Sequence, residues 1–329
     1  MSKYQAIVLK SLRRLYRKIY NPQFEGFPWP EEHEWEDTSH YISKLLVSNS
    51  PILIGRIGTS ENAIINNYLT VHSSKSYVAK CLDYVTDNTR LPFWDTERPF
   101  FDLQNNSGFF TEDGMNIKDA ERFAEIYLKY IPQMDLCGRF SDPEKHLPFS
   151  SNCKMVQLES LYPFFSSKPW TECLKDKKVL VVHPFKESIL HQFKNRENLF
   201  HDPRMLPDFH LEVIKAVQSI AGEKCAFPNW FEALEHMMEE ISKRDFDVLI
   251  VGCGAYGLPL AGFGKEIGKK AIHLGGGTQL LFGIKGKRWE GKYHGDDTRF
   301  NDLFNEYWIY PNQNETPVKA NNIEGGCYW

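Results

Sequence analysis

Arg56 and Glu61 lie in the run PILIGRIGTSENAIINNYL, where an apolar strand gives way through Gly55 and Gly58 to the first turn of a helix. A carboxylate at such a junction can take a proton from a substrate hydroxyl, and a guanidinium beside it can orient that carboxylate or hold an anion. Glu61 also stands where an acid complements the helix dipole, so a capping role is open beside the chemical one, with Thr59 or Ser60 as the expected cap. The run KVLVV ends in the same way at His183, Lys186 and Ser188. Ser188 is placed to cap the helix that follows, whose first amides would face an anion. A third junction is FDVLIVGCGAYGL, in which Gly252, Gly254 and Gly257 form G-x-G-x-x-G with Tyr256 inside it. Glycines there let a pyrophosphate reach the backbone, or equally let a helix pack close to a sheet.

The next strand ends at His273 and runs into Gly275, Gly276, Gly277, Thr278 and Gln279. A dinucleotide site would place an Asp or Glu at that strand end, and none is there, which demotes a nicotinamide cofactor. The glycine loop can instead wrap phosphate or sugar with its own backbone. Lys285, Lys287, Arg288 and Lys292 then surround Trp289. Lys285, Lys287 and Arg288, together with His183 and Lys186, form a cationic set suited to a departing diphosphate without a metal. His294, Asp296 and Asp297 offer a divalent-cation alternative, with a solvated turn as the plainer reading.

Positioning these groups requires strands over residues 51–56, 178–182 and 247–251 and a further one ending at 273, each apolar and β-branched as a strand buried on both faces must be. Helices are expected over 117–130, 208–221 and 229–242, the last capped by Asn229. Strands alternating with helices predict an α/β fold, a Rossmann-like parallel central sheet flanked by helices with an N-terminal helical arm. The expected division is an arm and linker over 1–37 and one catalytic domain over 38–329, with the Pro- and Trp-rich stretch 21–36 as the linking loop. Residues 3–19 form a basic amphipathic helix, suited either to an anionic membrane surface or to docking on its own domain with a solvated basic face.

The chain has 329 residues, 42% of them hydrophobic and 14% aromatic, enough to bury a large core. A formal charge of −4 speaks against a general nucleic-acid binder. The seven cysteines form no C-x-x-C pair and suggest neither a zinc site nor a disulfide framework, which fits a reduced, cytoplasmic protein, peripheral at the inner membrane face if the arm binds lipid. The closing IEGGCYW is apolar and aromatic, so it is expected to tuck into the body near the site.

The RIGTSE run resembles the R-x-G-D-G-E segment of GT-D-type bacterial glycosyltransferases, and VLIVGCGAYGLPLAGFGKEIGKKAIHLGG resembles their closing βαβ segment. GGGTQLLFGIKGKRW is similar to a motif of proteins from polysaccharide gene clusters. The resemblance reaches from about residue 50 to 277 and implies a Rossmann-like domain that moves a sugar from a nucleotide diphosphate sugar to a glycan or lipid-linked acceptor in surface polysaccharide or glycoprotein-glycan assembly. In that family an Asp-x-Glu motif supports a divalent metal, manganese or magnesium, and catalysis. Here Thr59-Ser60-Glu61 carries over only the acid, Glu61, which leaves the metal open. Two alternatives stand beside this expectation: an oxidoreductase acting on a nucleotide sugar, and a non-catalytic nucleotide- or glycan-binding partner of an assembly complex.

Overall fold

The computed structural model of the chain describes all residues except 23–25, 90–91, 113, 115, 220–224, 292–298 and 323–325. Its strands are β1 (Ile52–Gly55), β2 (Leu136–Arg139), β3 (Lys154–Gln157), β4 (Lys178–His183), β5 (His210–Lys215), β6 (Val248–Val251) and β7 (Lys270–His273). They form one sheet in the order β3-β2-β1-β7-β6-β4-β5, and every pairing is parallel. The helices are α1 (Lys3–Tyr20), α2 (Glu32–Val47), α3 (Thr59–Val71), α4 (Tyr77–Val85), α5 (Glu97–Ser107), α6 (Ile117–Tyr130), α7 (Lys186–Lys194), α8 (Trp230–Ser242), α9 (Gly257–Glu266) and α10 (Gly277–Leu281).

The continuous apolar runs of the central strands are explained by burial on both faces. Because side chains alternate along a strand, Leu53, Leu180, Val182, Leu249 and Ala271 enter one core with α3, α6, α8 and α9. Ile52, Ile54, Val179, Val181, Ile250 and Ile272 enter the other, with α2, α7 and α10. The chain therefore leaves β1 and β6 toward the first face and β7 and β4 toward the second. These four strands are neighbours, so consecutive exits diverge and leave a crevice above their carboxyl ends.

Two expectations are corrected. The helix expected over 208–221 gives way, in the described part of that range, to a strand: His210–Lys215 is β5, paired along its length with β4. Leu211 and Val213 join one core and Ile214 the other, an alternation that short-range helical spacing conceals. The linking loop is also shorter than 21–36, because α2 starts at Glu32 with Glu31 and Glu34 in a reciprocal capping box. The expected cap Asn229 does accept the Glu232 amide in the first turn of α8, and Asn116 likewise accepts the Lys118 amide at the start of α6.

The arm, α1, is held by an electrostatic clasp rather than by its apolar stripe. Arg13 and Arg17 both bond Asp87, with Arg13 Nε at 2.8 Å and Arg17 Nε at 2.7 Å, and the Arg13 guanidinium lies 4.3 Å over the Tyr84 ring. Burial works against the Asp87 carboxylate, but the two guanidinium hydrogen bonds hold its pKa below the usual range.

Helices α6 and α9 meet through Gly262, where an added Cβ would lie 2.3 Å from the Tyr130 ring. Gly262→Ala should therefore destabilise by about 1–3 kcal/mol, the usual cost of overpacking, read as a lower urea midpoint with an unchanged slope.

Candidate functional site

A cavity of about 560 Å³ opens in the crevice above β1, β7, β6 and β4, a size that suits a nucleotide-scale ligand. Of the residues picked out in the sequence, it is lined by Arg56, Gly58 and Glu61 after β1 and by His183 after β4. Gly252, Gly254 and Tyr256 line it after β6, Gly275, Gly276 and Gln279 after β7, and Arg288 from the following segment. Lys186, Ser188, Gly257, Gly277, Thr278 and Lys285 lie outside the lining.

Glu61 occupies the third position of α3 and is only 5% exposed. The N-cap is Gly58, not Thr59 or Ser60, and a Cβ on Gly58 would lie 1.9 Å from the Glu61 carboxylate. The missing side chain is the space the carboxylate fills. Unlike the boxes at α1 and α2, Glu61 makes no return bond to its cap, and among the described residues it has no hydrogen-bond or ion-pair partner. Its carboxylate opens onto the cavity, where water or a ligand can meet it, and no group of the described chain claims it.

Arg56 faces the same space. Its guanidinium carbon lies 4.5 Å from the centre of the Phe140 ring, and its buried Nε has no hydrogen-bond acceptor. The Phe140 loop is fixed by Glu144, whose carboxylate accepts the amides of Phe140 and Ser141 at 3.1 Å each. Burial raises Glu144 to about 7 against the opposing pull of those amides, Arg56 and Arg139. Stacking on Phe140 thus aims Arg56 while leaving its donors for another group.

The two histidines of the cavity have opposite tautomers. His183 Nδ1 accepts the Phe185 amide at 3.1 Å, so its proton sits on Nε2. His273 Nδ1 donates to the Val251 carbonyl at 3.1 Å, which leaves Nε2 as an acceptor. Burial depresses both pKa values to about 3, aided at His273 by the charge of Arg56. His183 is consequently a neutral hydrogen-bond donor, and its place in the expected cationic set is withdrawn.

The glycine motif has a packing explanation. A Cβ on Gly252 would lie 2.6 Å from the Gly275 carbonyl oxygen, one on Gly254 2.7 Å from the Ser107 carbonyl oxygen, and one on Gly257 2.0 Å from the His273 ring. Gly254 also has φ +57°, so a valine there would strain the fold itself rather than test ligand binding. The second glycine loop is largely helix: Gly277, Thr278 and Gln279 are buried in α10. Gln279 Nε2 donates to the carbonyls of Lys285 and Tyr328, and Thr278 Oγ1 to that of Val251.

The N-terminus of α7 does bind an anion, but the anion belongs to the chain. The Glu315 carboxylate accepts the amides of Glu187 at 2.7 Å and Ser188 at 3.2 Å together with the Ser188 hydroxyl. Ser188 is accordingly a third-position partner, the N-cap being Phe185. Lys285 lies over Phe304 at 5.7 Å, away from the cavity. Of the expected cations among the described residues, Arg288 alone lines the cavity as a charged group, and Arg56 and Arg299 join it.

Sequence reasoning missed much of the wall. Phe27 and Trp29 come from the segment taken as linker, and Tyr162 and Phe300 from stretches that carry no motif. The aromatic tail was anticipated: Tyr328 and Trp329 line the cavity, with Trp329 Nε1 donating to the Glu315 carbonyl. Tyr162 is buried, which raises its phenol well above the ordinary value and keeps it neutral.

Among the described residues no three His, Cys, Asp or Glu side chains stand close enough to hold a metal ion. Among the described residues the cavity wall carries two carboxylates, Glu61 and Glu159, fewer than a metal cage built from protein ligands alone would use. His294, Asp296 and Asp297, and Lys292, lie outside the described residues. No protein family model, curated protein or solved structure matches the chain.

The histidines set a pH signature. Each has a folded pKa below its unfolded value, so its contribution to stability is present above about pH 6.5 and is lost as pH falls toward 3, at up to about 1.4 kcal/mol per pH unit. Glu144 works oppositely: its stabilisation is present below the unfolded carboxyl value and is lost as pH rises through about 7. The native chain should show a steep acid-side fall in melting temperature between pH 6.5 and 4, and the combined His183→Asn and His273→Asn variant, in which amide atoms can replace the Nδ1 contacts, should show a shallower one.

Proposed function

We propose that the cavity is the active site of a glycosyltransferase that moves a sugar from a nucleotide diphosphate sugar to an acceptor hydroxyl. The observation that carries this reading is the Glu61 carboxylate, 5% exposed and without a partner among the described residues, on the same wall as Arg56. A partnerless carboxylate is what proton abstraction from an acceptor hydroxyl requires. Arginines at positions 56, 288 and 299 supply charge for a diphosphate, and the aromatic wall of Tyr162, Trp289 and Tyr328 supplies flat surface for a base or a sugar ring.

In this reading Glu61 takes the hydroxyl proton while the acceptor oxygen forms its bond to the anomeric carbon. The bond from that carbon to the diphosphate oxygen breaks, and the nucleoside diphosphate leaves with the electron pair. Arg56 receives the developing negative charge through donors that stacking on Phe140 has already aimed, so little reorganisation is needed. His183 Nε2–H adds a neutral donor and His273 Nε2 an acceptor for sugar hydroxyls. No step passes through a metal.

Support for the dinucleotide alternative falls, because the three glycines of its motif are accounted for by Ser107, His273 and Thr278 pressing against them.

A panel of nucleoside diphosphates and nicotinamide dinucleotides, followed by melting temperature, tests the reading. A nucleoside diphosphate at about 100 times its Kd should stabilise by about 2.7 kcal/mol. Glu61→Gln should keep that binding yet lose at least about a hundredfold in donor hydrolysis or transfer, the scale of a lost general base. Activity should persist in excess chelator. Stabilisation by the dinucleotides alone, or full turnover in Glu61→Gln, would overturn the assignment, and loss of activity in EDTA with recovery in manganese would overturn its metal-free form.

A further inference from the structure

The arm α1 docks by the face that carries Arg13, with Ala6, Leu9 and Tyr16 half-buried beside it, and it leaves its apolar stripe in water. Tyr4, Val8, Leu12, Leu15 and Ile19 follow one another at steps of three and four residues, so they form one line along the helix. Their exposures are 83%, 55%, 45%, 53% and 63%. Helix α4, which packs against α1, exposes Tyr77, Val78 and Leu82 as well.

The charges are sorted in the same way. Helix α1 contains no acidic residue. Arg13 and Arg17 are spent on Asp87, while Lys3, Lys10, Arg14 and Lys18 have no ion-pair partner among the described residues. At 100° per residue these four span an arc of about 80° whose near end, Lys18, lies about 40° from Tyr4 at one edge of the apolar line; Arg14 follows it, and Lys3 and Lys10 lie farther round, away from the line. A helix with an apolar line bordered by cations, clasped to the body by its third face, is built to lie in the plane of an interface. No helix among the described residues is long and apolar enough to cross a membrane, so the contact is a lateral one.

We propose that α1 is a peripheral membrane-docking surface whose partner is an anionic lipid bilayer. Cationic side chains meet the headgroups, and Tyr4, Val8, Leu12, Leu15 and Ile19 enter the headgroup and acyl boundary. A nucleic acid would engage the cations but would leave the apolar line in water, and a bilayer engages both. This proposal stands independently of the reading of the cavity, because none of its residues lines that site.

Flotation of the full chain with vesicles tests it, using phosphatidylcholine alone and phosphatidylcholine mixed with phosphatidylglycerol. The chain should float with the mixed vesicles, weakly with the neutral ones, and less as salt is raised. Lys10→Glu/Arg14→Glu/Lys18→Glu should weaken binding by on the order of a hundredfold or more, from about fivefold per cation near an anionic surface. Leu12→Ser/Leu15→Ser/Ile19→Ser should also abolish flotation, and unchanged melting temperatures in both variants would confirm that the body is intact. A native chain left in the unbound fraction with anionic vesicles overturns the proposal, as does flotation unaffected by either variant. Concentration-dependent self-association that the serine variant removes would assign the line to a second copy of the chain and overturn it likewise.

Discussion

Parallel strands cannot be joined by tight turns, and each must hand its chain to a helix on one face of the sheet before the next can begin. In this protein that constraint acts on four neighbours at once. Strands β1 and β6 deliver their helices to one face and β7 and β4 to the other, so the backbone parts above every junction between them. Arg56, His183, Gly252 and Gly275 reach the cavity for no reason other than that each follows one of these strands. The same arrangement removes water from both sides of the crevice floor. Glu61 and the two histidines are buried because they stand at its edge.

Burial then decides what each group can do. Desolvation turns His183 and His273 into neutral imidazoles, and the backbone bond at Nδ1 makes one a donor and the other an acceptor. Glu144 is pushed toward neutrality as well, yet it holds the amides that position Phe140. Arg56 keeps its charge and is steered by a ring rather than by a carboxylate. The polar groups of the wall are therefore fixed by the fold and not by one another, apart from the ligand they are proposed to meet.

The strands that matter most were legible in the sequence. Residues 52–55, 178–183, 248–251 and 270–273 are apolar, β-branched and closed by glycine or histidine, which only a doubly covered strand explains. Helices α6 and α8 announced themselves through their apolar spacing, and α8 also through its cap, Asn229. Strand β5 did not, since an edge strand with His210, Glu212 and Lys215 lacks that continuous apolar signal and takes its form from β4. At the site, the residues next to strand ends were readable, while those whose fate depends on distant partners were not. No local rule reveals that Glu315 already occupies the helix start at Ser188, or that Ser107 fills the space beside Gly254. Chain-distant neighbours also account for the aromatic wall, in which Trp29 and Phe300 meet edge to face.

The pairing of β1 with β7 has a kinetic consequence. Ile52 lies opposite Lys270, so the middle of the sheet joins two segments separated by most of the chain. Strands β1, β2 and β3 can zip together early, and β4, β5 and β6 can do so separately, but the seam between the two halves closes only after β7 has been made. Contacts so remote in sequence form slowly, and until they do β1 presents an open edge able to recruit a foreign strand. The cavity straddles that seam. It is consequently among the last parts of the molecule to exist during folding, and conditions that slow closure would let aggregation compete with the appearance of the site.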